Sequence, residues 1–226
     1  MPPKPKFTRE EIVAAALSLL REQGESALTA REIGKRLGTS SSPIFTTFKD
    51  MEELKAAVQL EAKAVFDRYM EVAKAFFPAY KKRGMQWVKF AREEPMLFRL
   101  LFEQHSRDGA DLDRALSELP FGRENDLEII MRDYHATHEQ AAHLFRQMWI
   151  YTYGLCVISA AGICSLTDAE IAALLGEVFR GMIYILHTGS DITKIQPVLD
   201  VSEAGDALRR QSPDLREKEK NKWNTL

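Results

Sequence analysis

From Ser40 to Lys49 the chain reads SSSPIFTTFK, a run dense in short hydroxyls. Ser40, Ser41, Ser42, Thr46 and Thr47 can each exchange hydrogen bonds with a phosphate oxygen or a base edge. The carbons of Pro43 and of the threonines can touch a thymine methyl group. Upstream, Thr29 and Arg31 add a hydroxyl and a guanidinium, and Lys49 adds a second cation. Cations and hydroxyls together suit an anionic, groove-bearing surface. Ile44, Phe45 and Phe48 are the apolar residues of the run and are expected to anchor it on a core.

A segment this short is unstable as an isolated helix, so other elements must present it. Leu28 to Leu54 supplies them: LTAREIGKRLGTSSSPIFTTFKDMEEL. Thr29 to Leu37 reads as an amphipathic helix, with Thr29 as cap and Glu32 in capping-box position. Gly38 ends that helix. A second short helix from Ser40 to Phe48 follows, with Ser40 as its cap and Pro43 tolerated in its first turn. Two helices about a glycine turn form a helix-turn-helix, whose second helix can enter a DNA major groove. Before it, Thr8 and Glu11 form another capping box, and Ile12, Ala15, Ala16, Leu19 and Leu20 repeat at helical spacing up to Gly24.

Asp50 opens a long helix reaching about Phe77, stopped by Pro78, that joins the reading head to the rest of the chain. Further helices are expected over Ala79 to Glu93, from Pro95 through Phe102, over Asn125 to His135, from Glu139 to about Ala161, and from Thr167 to about His187. Arg107 to Phe121 is polar and reads as a loop with at most a short helix. No strand pattern competes, so the expected fold is all-α. The domains expected are an arm and helix-turn-helix head over 1–50, a helical ligand-binding and dimerisation body over 51–188, and a partly ordered tail over 189–226.

The 226 residues carry a net charge of −2, unevenly spread. Residues 1–50 hold eight Lys and Arg against six Asp and Glu. The arm MPPKPKFTR is basic without an acid, as suits a segment that meets phosphates. It lacks the apolar core of a signal peptide, and no run is long enough to cross a membrane, so the expected compartment is the cytoplasm. Cys156 and Cys164 lie in an apolar helical run and are expected to be buried, reduced thiols. His135, His138 and His143 are close in sequence, but no complete ligand set accompanies them, and no metal or other cofactor is expected. No nucleophile elbow, phosphate loop or paired acid and base marks a catalytic centre, so the chain is not expected to be an enzyme.

Residues 8 to 55 resemble the N-terminal DNA-binding domain of TetR/AcrR-type transcriptional regulators. The resemblance is carried by the Ile12–Leu20 helix, Gly24, Leu28-Thr29-Ala30-Arg31-Glu32-Ile33-Gly34, Leu37-Gly38, and Ile44-Phe45 with Phe48-Lys49, Glu52-Glu53-Leu54. Further on, Glu94-Pro95 with Phe98 to Phe102, and Trp149 with Gly154, are similar to one class of C-terminal domains in that family. Phe45 stands where the family usually has a tyrosine that donates to phosphate, Met51 where it usually has a lysine, and Tyr153 where that class often has a histidine. The resemblance implies a repressor that binds operator DNA through Thr29, Arg31, Ser40, Ser41, Ser42, Pro43, Phe45, Thr46, Thr47 and Lys49. It also implies a homodimer, paired through the helices near 139–161 and 167–187, whose wide apolar faces carry small residues such as Gly154, Gly176 and Gly181. An apolar or aromatic effector would bind in the body, where Trp87, Phe98, Phe102, Met131, Tyr134, Trp149 and Tyr153 are the candidate lining. The alternative is a ligand-binding or protein-interaction module of the same fold with weakened DNA binding, which Phe45 and Met51 motivate.

Overall fold

The computed structural model describes residues 6–103, 112, 116 and 123–188, and among these there is no strand. The fold is all-α, with an amino-terminal helix-turn-helix head followed by a helical body. Helix α1 (Arg9–Gln23) starts as its capping box requires. The Thr8 hydroxyl accepts the Glu11 N–H at 3.2 Å, and the Glu11 carboxylate accepts the Thr8 N–H at 2.8 Å. The 3₁₀ turn Glu25–Ala27 leads to α2 (Ala30–Arg36), capped by the Thr29 oxygen on the Glu32 N–H at 3.2 Å. Gly38 ends the helix with φ +67, a left-handed conformation that side chains disfavour.

The recognition element is shorter than its sequence suggests. α3 covers only Ser42–Phe45, with Ser41 rather than Ser40 at the cap and no side-chain cap bond. Past Phe45 the backbone tightens: the Thr46 hydroxyl donates to the Pro43 carbonyl at 2.6 Å, and the Thr47 and Phe48 N–H groups both donate to the Ile44 carbonyl. Threonine hydroxyls compete for carbonyls in this way and shorten helices. Ile44 and Phe48, four residues apart, are buried together with Ile12, Leu20 and Ile33. Phe45 is instead 48% exposed, which corrects its expected role as a core anchor. It lies about 100° around the turn from Ile44, and the core admits only one side of so short a helix.

α4 (Met51–Lys74) begins with the Asp50 carboxylate accepting the Glu53 N–H at 2.8 Å. At 24 residues it is about 36 Å long. Its inward stripe of Leu54, Val58, Ala62, Val65, Phe66 and Met70 steps by three and four residues and is buried throughout. The first part of that stripe serves the head and the later part the body. One continuous hydrophobic core therefore runs from Ile12 to Phe179. Around Phe66 an aromatic cluster joins α4 to α5 (Ala79–Glu93) and α6 (Pro95–Phe102): its ring meets Trp87 at 5.0 Å, Phe90 at 5.2 Å and Phe102 at 5.5 Å, all edge-on.

The remaining described helices are α7 (Arg123–Tyr134), α8 (His138–Ala160) and α9 (Asp168–Thr188). α7 stops one residue before the expected His135, which takes φ +54. Thr137 and Gln140 build a reciprocal capping box for α8, and Thr167 and Glu170 do the same for α9. The chain divides into two compact units, Met1–Ile183 and Tyr184–Leu226, so the head and residues 51–183 fall within one unit. The expected loop over 107–121 and the expected tail over 189–226 lie outside the described residues, apart from Leu112 and Leu116. No helix among the described residues is long and apolar enough to cross a membrane.

Candidate nucleic-acid interface and ligand cavity

Thr29, Arg31, Ser40, Ser42, Phe45, Thr46 and Lys49 are exposed, and Ser41, Pro43 and Thr47 are half-buried. The turn thus gathers these residues on and beside α3. Their polar groups are not equally available. The Thr29 oxygen is engaged as a cap, and the Thr46 proton is engaged by Pro43. The Thr47 hydroxyl oxygen is buried and lacks a hydrogen-bond partner. Arg31 and Lys49 form no ion pair among the described residues and can meet phosphates. Two other arginines are held by the fold. Arg36 grips Glu22 with a bond of 2.7 Å, and this hydrogen bond lowers the Glu22 carboxyl pKa. Arg9 bonds Glu53 at 2.7 Å and lies 4.3 Å from the centre of the Phe48 ring. Met51 is half-buried against the core and offers no donor.

The close approach of α2 to the turn depends on Gly34. A Cβ there would stand 2.7 Å from the Ser40 carbonyl oxygen and 2.9 Å from its carbon. Both are backbone atoms, so a side chain at 34 would push the recognition turn off α2.

The body holds a cavity bounded by α5, α7, α8 and α9. Trp87, Phe145, Met148, Trp149 and Tyr153 form much of its apolar wall, with Leu175 and Phe179 opposite. The Trp149 and Tyr153 rings stack at 4.9 Å with planes 10° apart. The cavity has a volume of about 50 Å³, which is room for a few water molecules. A drug-sized ligand would require side chains to open this space. Within the wall Arg83 and Asp126 form a buried ion pair. Burial pushes the Asp126 carboxyl up to about 6, against the opposing pull of Arg83. Burial also holds the Tyr80 hydroxyl well above the ordinary tyrosine range. The Trp149 Nε1 and Arg123 Nε donors are buried without a hydrogen-bond partner.

Of the residues expected to line a ligand site, Trp87, Trp149 and Tyr153 line this cavity. Phe98, Phe102 and Tyr134 stand one layer behind: their rings lie 5.8 Å from Tyr153, 4.7 Å from Trp87 and 4.9 Å from Phe179 respectively. Met131 is 37% exposed and does not line the cavity. α7 turns Asp126, Leu127 and Ile130 inward, and Met131 follows Ile130 by about 100°. Sequence reasoning missed Arg83, Asp126 and Arg123. A signal existed for the first two, because each is a charge at a core phase of its helix: Arg83 precedes Gln86, Trp87 and Phe90, and Asp126 precedes Leu127 and Ile130. Cys156 is buried as expected, and burial raises its thiol pKa far above the ordinary range. Cys164 is exposed, contrary to expectation, because α8 ends at Ala160 and the chain leaves the core there. Among the described residues no three His, Cys, Asp or Glu side chains are grouped to hold a metal ion.

Residues 12–58 match the family of bacterial regulatory proteins named tetR, a span covering most of α1, all of α2 and α3, and the first turns of α4. Over these residues the chain is similar to the TetR family. It is 31% identical over 105 residues to the tetracycline repressor protein class D of Escherichia coli, a match covering 46% of this chain and 44% of that protein. The chain therefore spans under half the length of this curated relative. Among solved structures, a protein of unknown function from Rhodococcus sp. RHA1 superposes with TM-score 0.60 at 19% identity, over 80% of this chain and 98% of that one. A TetR-like transcriptional regulator from the same organism superposes with TM-score 0.57 at 13% identity, over 83% and 100%. At these identities the two structures speak for the fold alone, and they extend it beyond the head into the body of this chain.

Proposed function

We propose that this chain is a homodimeric regulator of transcription, a repressor that binds double-stranded operator DNA and is released by a small apolar or aromatic effector. The observation that carries the reading is the single helix α4. Its first turns belong to the core of the DNA-reading head, and its Phe66 ring packs against Trp87, which lines the cavity, and against Phe102 one layer behind it. In this reading Arg31 and Lys49 take phosphates, while Ser40, Ser42, Pro43 and Thr46 meet the groove. Ser41, Thr29 and Thr47 shape the turn, and Phe45 offers an apolar edge to a base methyl or sugar. The effector opens the narrow cavity, which displaces the aromatic cluster and with it α4. Coupling of this kind requires the effector to bind the opened state better than the closed one.

Pairing through α8 and α9 would set two heads side by side. Ile150 is 46% exposed on α8, and Gly154 and Gly181 have open space where a side chain would stand. These features support a close helix–helix interface of a symmetric dimer.

The exposed Phe45 and the buried side of Met51 also support a second reading, a ligand-binding module whose DNA affinity is weak because two phosphate donors are replaced by apolar groups. Selection of random duplex DNA on the full-length chain separates the two. Enrichment of one sequence in two inverted half-sites is expected. Failure to enrich any sequence at low salt would favour the second reading.

A further inference from the structure

We propose that the effector is an amphipathic organic acid, a flat or slender apolar body ended by a single carboxylate. This rests on the cavity being the effector site and assigns the chemistry of its occupant.

The argument starts from donors without acceptors. Lys81 and Arg123 line the cavity, and neither forms an ion pair among the described residues. The Arg123 Nε and Trp149 Nε1 atoms are both buried without a partner. Ammonium, guanidinium and indole N–H groups can only donate. What they lack is therefore an acceptor, and more than one of them can be served only by a group rich in lone pairs. A carboxylate offers about four such sites on two oxygens.

The local charge agrees. Arg83 and Asp126 neutralise one another, which leaves Lys81 and Arg123 as a cationic excess among the described residues of the wall. Gly176 adds to it. The position its Cβ would occupy lies 3.2 Å from the Lys81 Nζ and 3.1 Å from an Arg180 terminal nitrogen. Two cations therefore converge over the bare backbone of a buried glycine, and no acid pairs with either among the described residues. Like charges that close repel unless an anion sits between or beside them. A cationic ligand would meet this excess and would have to take Asp126 from Arg83. A neutral one could accept hydrogen bonds from the donors but would leave the cationic charge unbalanced. The rest of the wall fixes the other end of the ligand. The stacked Trp149 and Tyr153 rings, with Trp87 and Phe179, suit a planar or narrow apolar body.

The test uses the full-length chain and two matched probe sets: naphthalene-2-carboxylate with 2-naphthylmethanol and 2-naphthylmethylammonium, and decanoate with decanol and decylammonium. Binding is read by quenching of tryptophan fluorescence and by calorimetry. At least one carboxylate is expected to bind about tenfold or more tighter than its alcohol, with the ammonium weakest, as charge-assisted hydrogen bonds require. Arg123→Met and Lys81→Met are each expected to bring carboxylate affinity down toward that of the alcohol, and Arg123→Lys to retain part of the preference. Circular dichroism checks that the variants fold. An alcohol that binds as tightly as its acid, or a preference untouched by both methionine variants, would overturn the organic-acid assignment while leaving the effector cavity standing. Absence of binding by every probe at millimolar concentration would overturn the assignment and the effector cavity together.

Discussion

At the scale of single residues, the buried pair of Arg83 and Asp126 makes the firmest demands. Removing one partner strands a charge in the core. Arg83→Met is expected to lower the unfolding free energy at pH 7 by about 3–5 kcal/mol, whereas Arg83→Met with Asp126→Leu is expected to be near neutral or stabilising. Urea titration measures both. The pH dependence follows from the direction of the Asp126 shift. Its folded pKa, about 6, lies above the roughly 3.9 of an unfolded aspartate. The folded state then holds the proton more tightly, so this group adds stability as pH falls from about 6 toward about 4. The Arg83→Met defect is accordingly expected to shrink at pH 5, since the stranded carboxyl can protonate; a defect equally large at pH 5 and pH 7 would contradict this. The two cysteines give a simpler check. A thiol reagent at pH 8 is expected to label only Cys164 in the native protein and Cys156 as well in denaturant. Rapid native labelling of Cys156 would show that it is not buried. Residue chemistry was legible in the sequence where it is local. The caps at Thr8, Thr29, Asp50 and Thr167 are set by contacts three residues away and were all readable. Arg83 and Asp126 are separated by 43 positions, and only tertiary packing reveals that they meet.

At the scale of elements, two junctions decide whether the head is held in register. One is the crossing of α2 and the recognition turn. Gly34→Ala would drive its methyl group to within 2.7 Å of the Ser40 carbonyl unless the turn moves. The expected outcome is a loss of specific DNA binding by tenfold or more, on the order of 1.4 kcal/mol, while helix content by circular dichroism stays near that of the wild type. Unaltered DNA affinity would mean that the turn tolerates displacement. The other junction ties α1 to the start of α6. The Arg21 guanidinium makes two bonds to Glu94, at 2.8 and 2.7 Å, and the Tyr69 hydroxyl of α4 donates to the neighbouring Glu93 at 2.9 Å. α6 then carries Phe98 and Phe102 to the rings behind the cavity. A double-mutant cycle on Arg21→Ala and Glu94→Ala is expected to give a coupling of up to about 1 kcal/mol, because the pair is partly exposed. Zero coupling would remove this bridge from the account. Helix existence was legible from periodicity, and most boundaries fell within a few residues. The exception is α3, predicted over Ser40 to Phe48 and found as Ser42–Phe45. Its threonine hydroxyls and the demand for one-sided burial, rather than helix propensity, set its length.

At the scale of the whole molecule, the chain combines a reading head and a cavity that share one core through α4. Dimer formation would complete the device, since one four-residue recognition helix contacts few base pairs. Sedimentation equilibrium is expected to return twice the chain mass at micromolar concentration. Ile150→Glu, which places a charge on the exposed apolar face of α8, is expected to shift the protein toward monomer. A wild-type monomer at that concentration would contradict the proposed pairing. The central claim, that this chain reads DNA, is tested most directly by fluorescence anisotropy of the full-length protein on duplex DNA from upstream of its own coding region, against a scrambled duplex of equal composition, over a series of salt concentrations. The account predicts clear preference for the upstream duplex at moderate salt, and affinity for both that falls linearly as salt rises on logarithmic axes, as counterion release requires. Equal binding to the two duplexes at every salt concentration, or no binding at low salt, would contradict it.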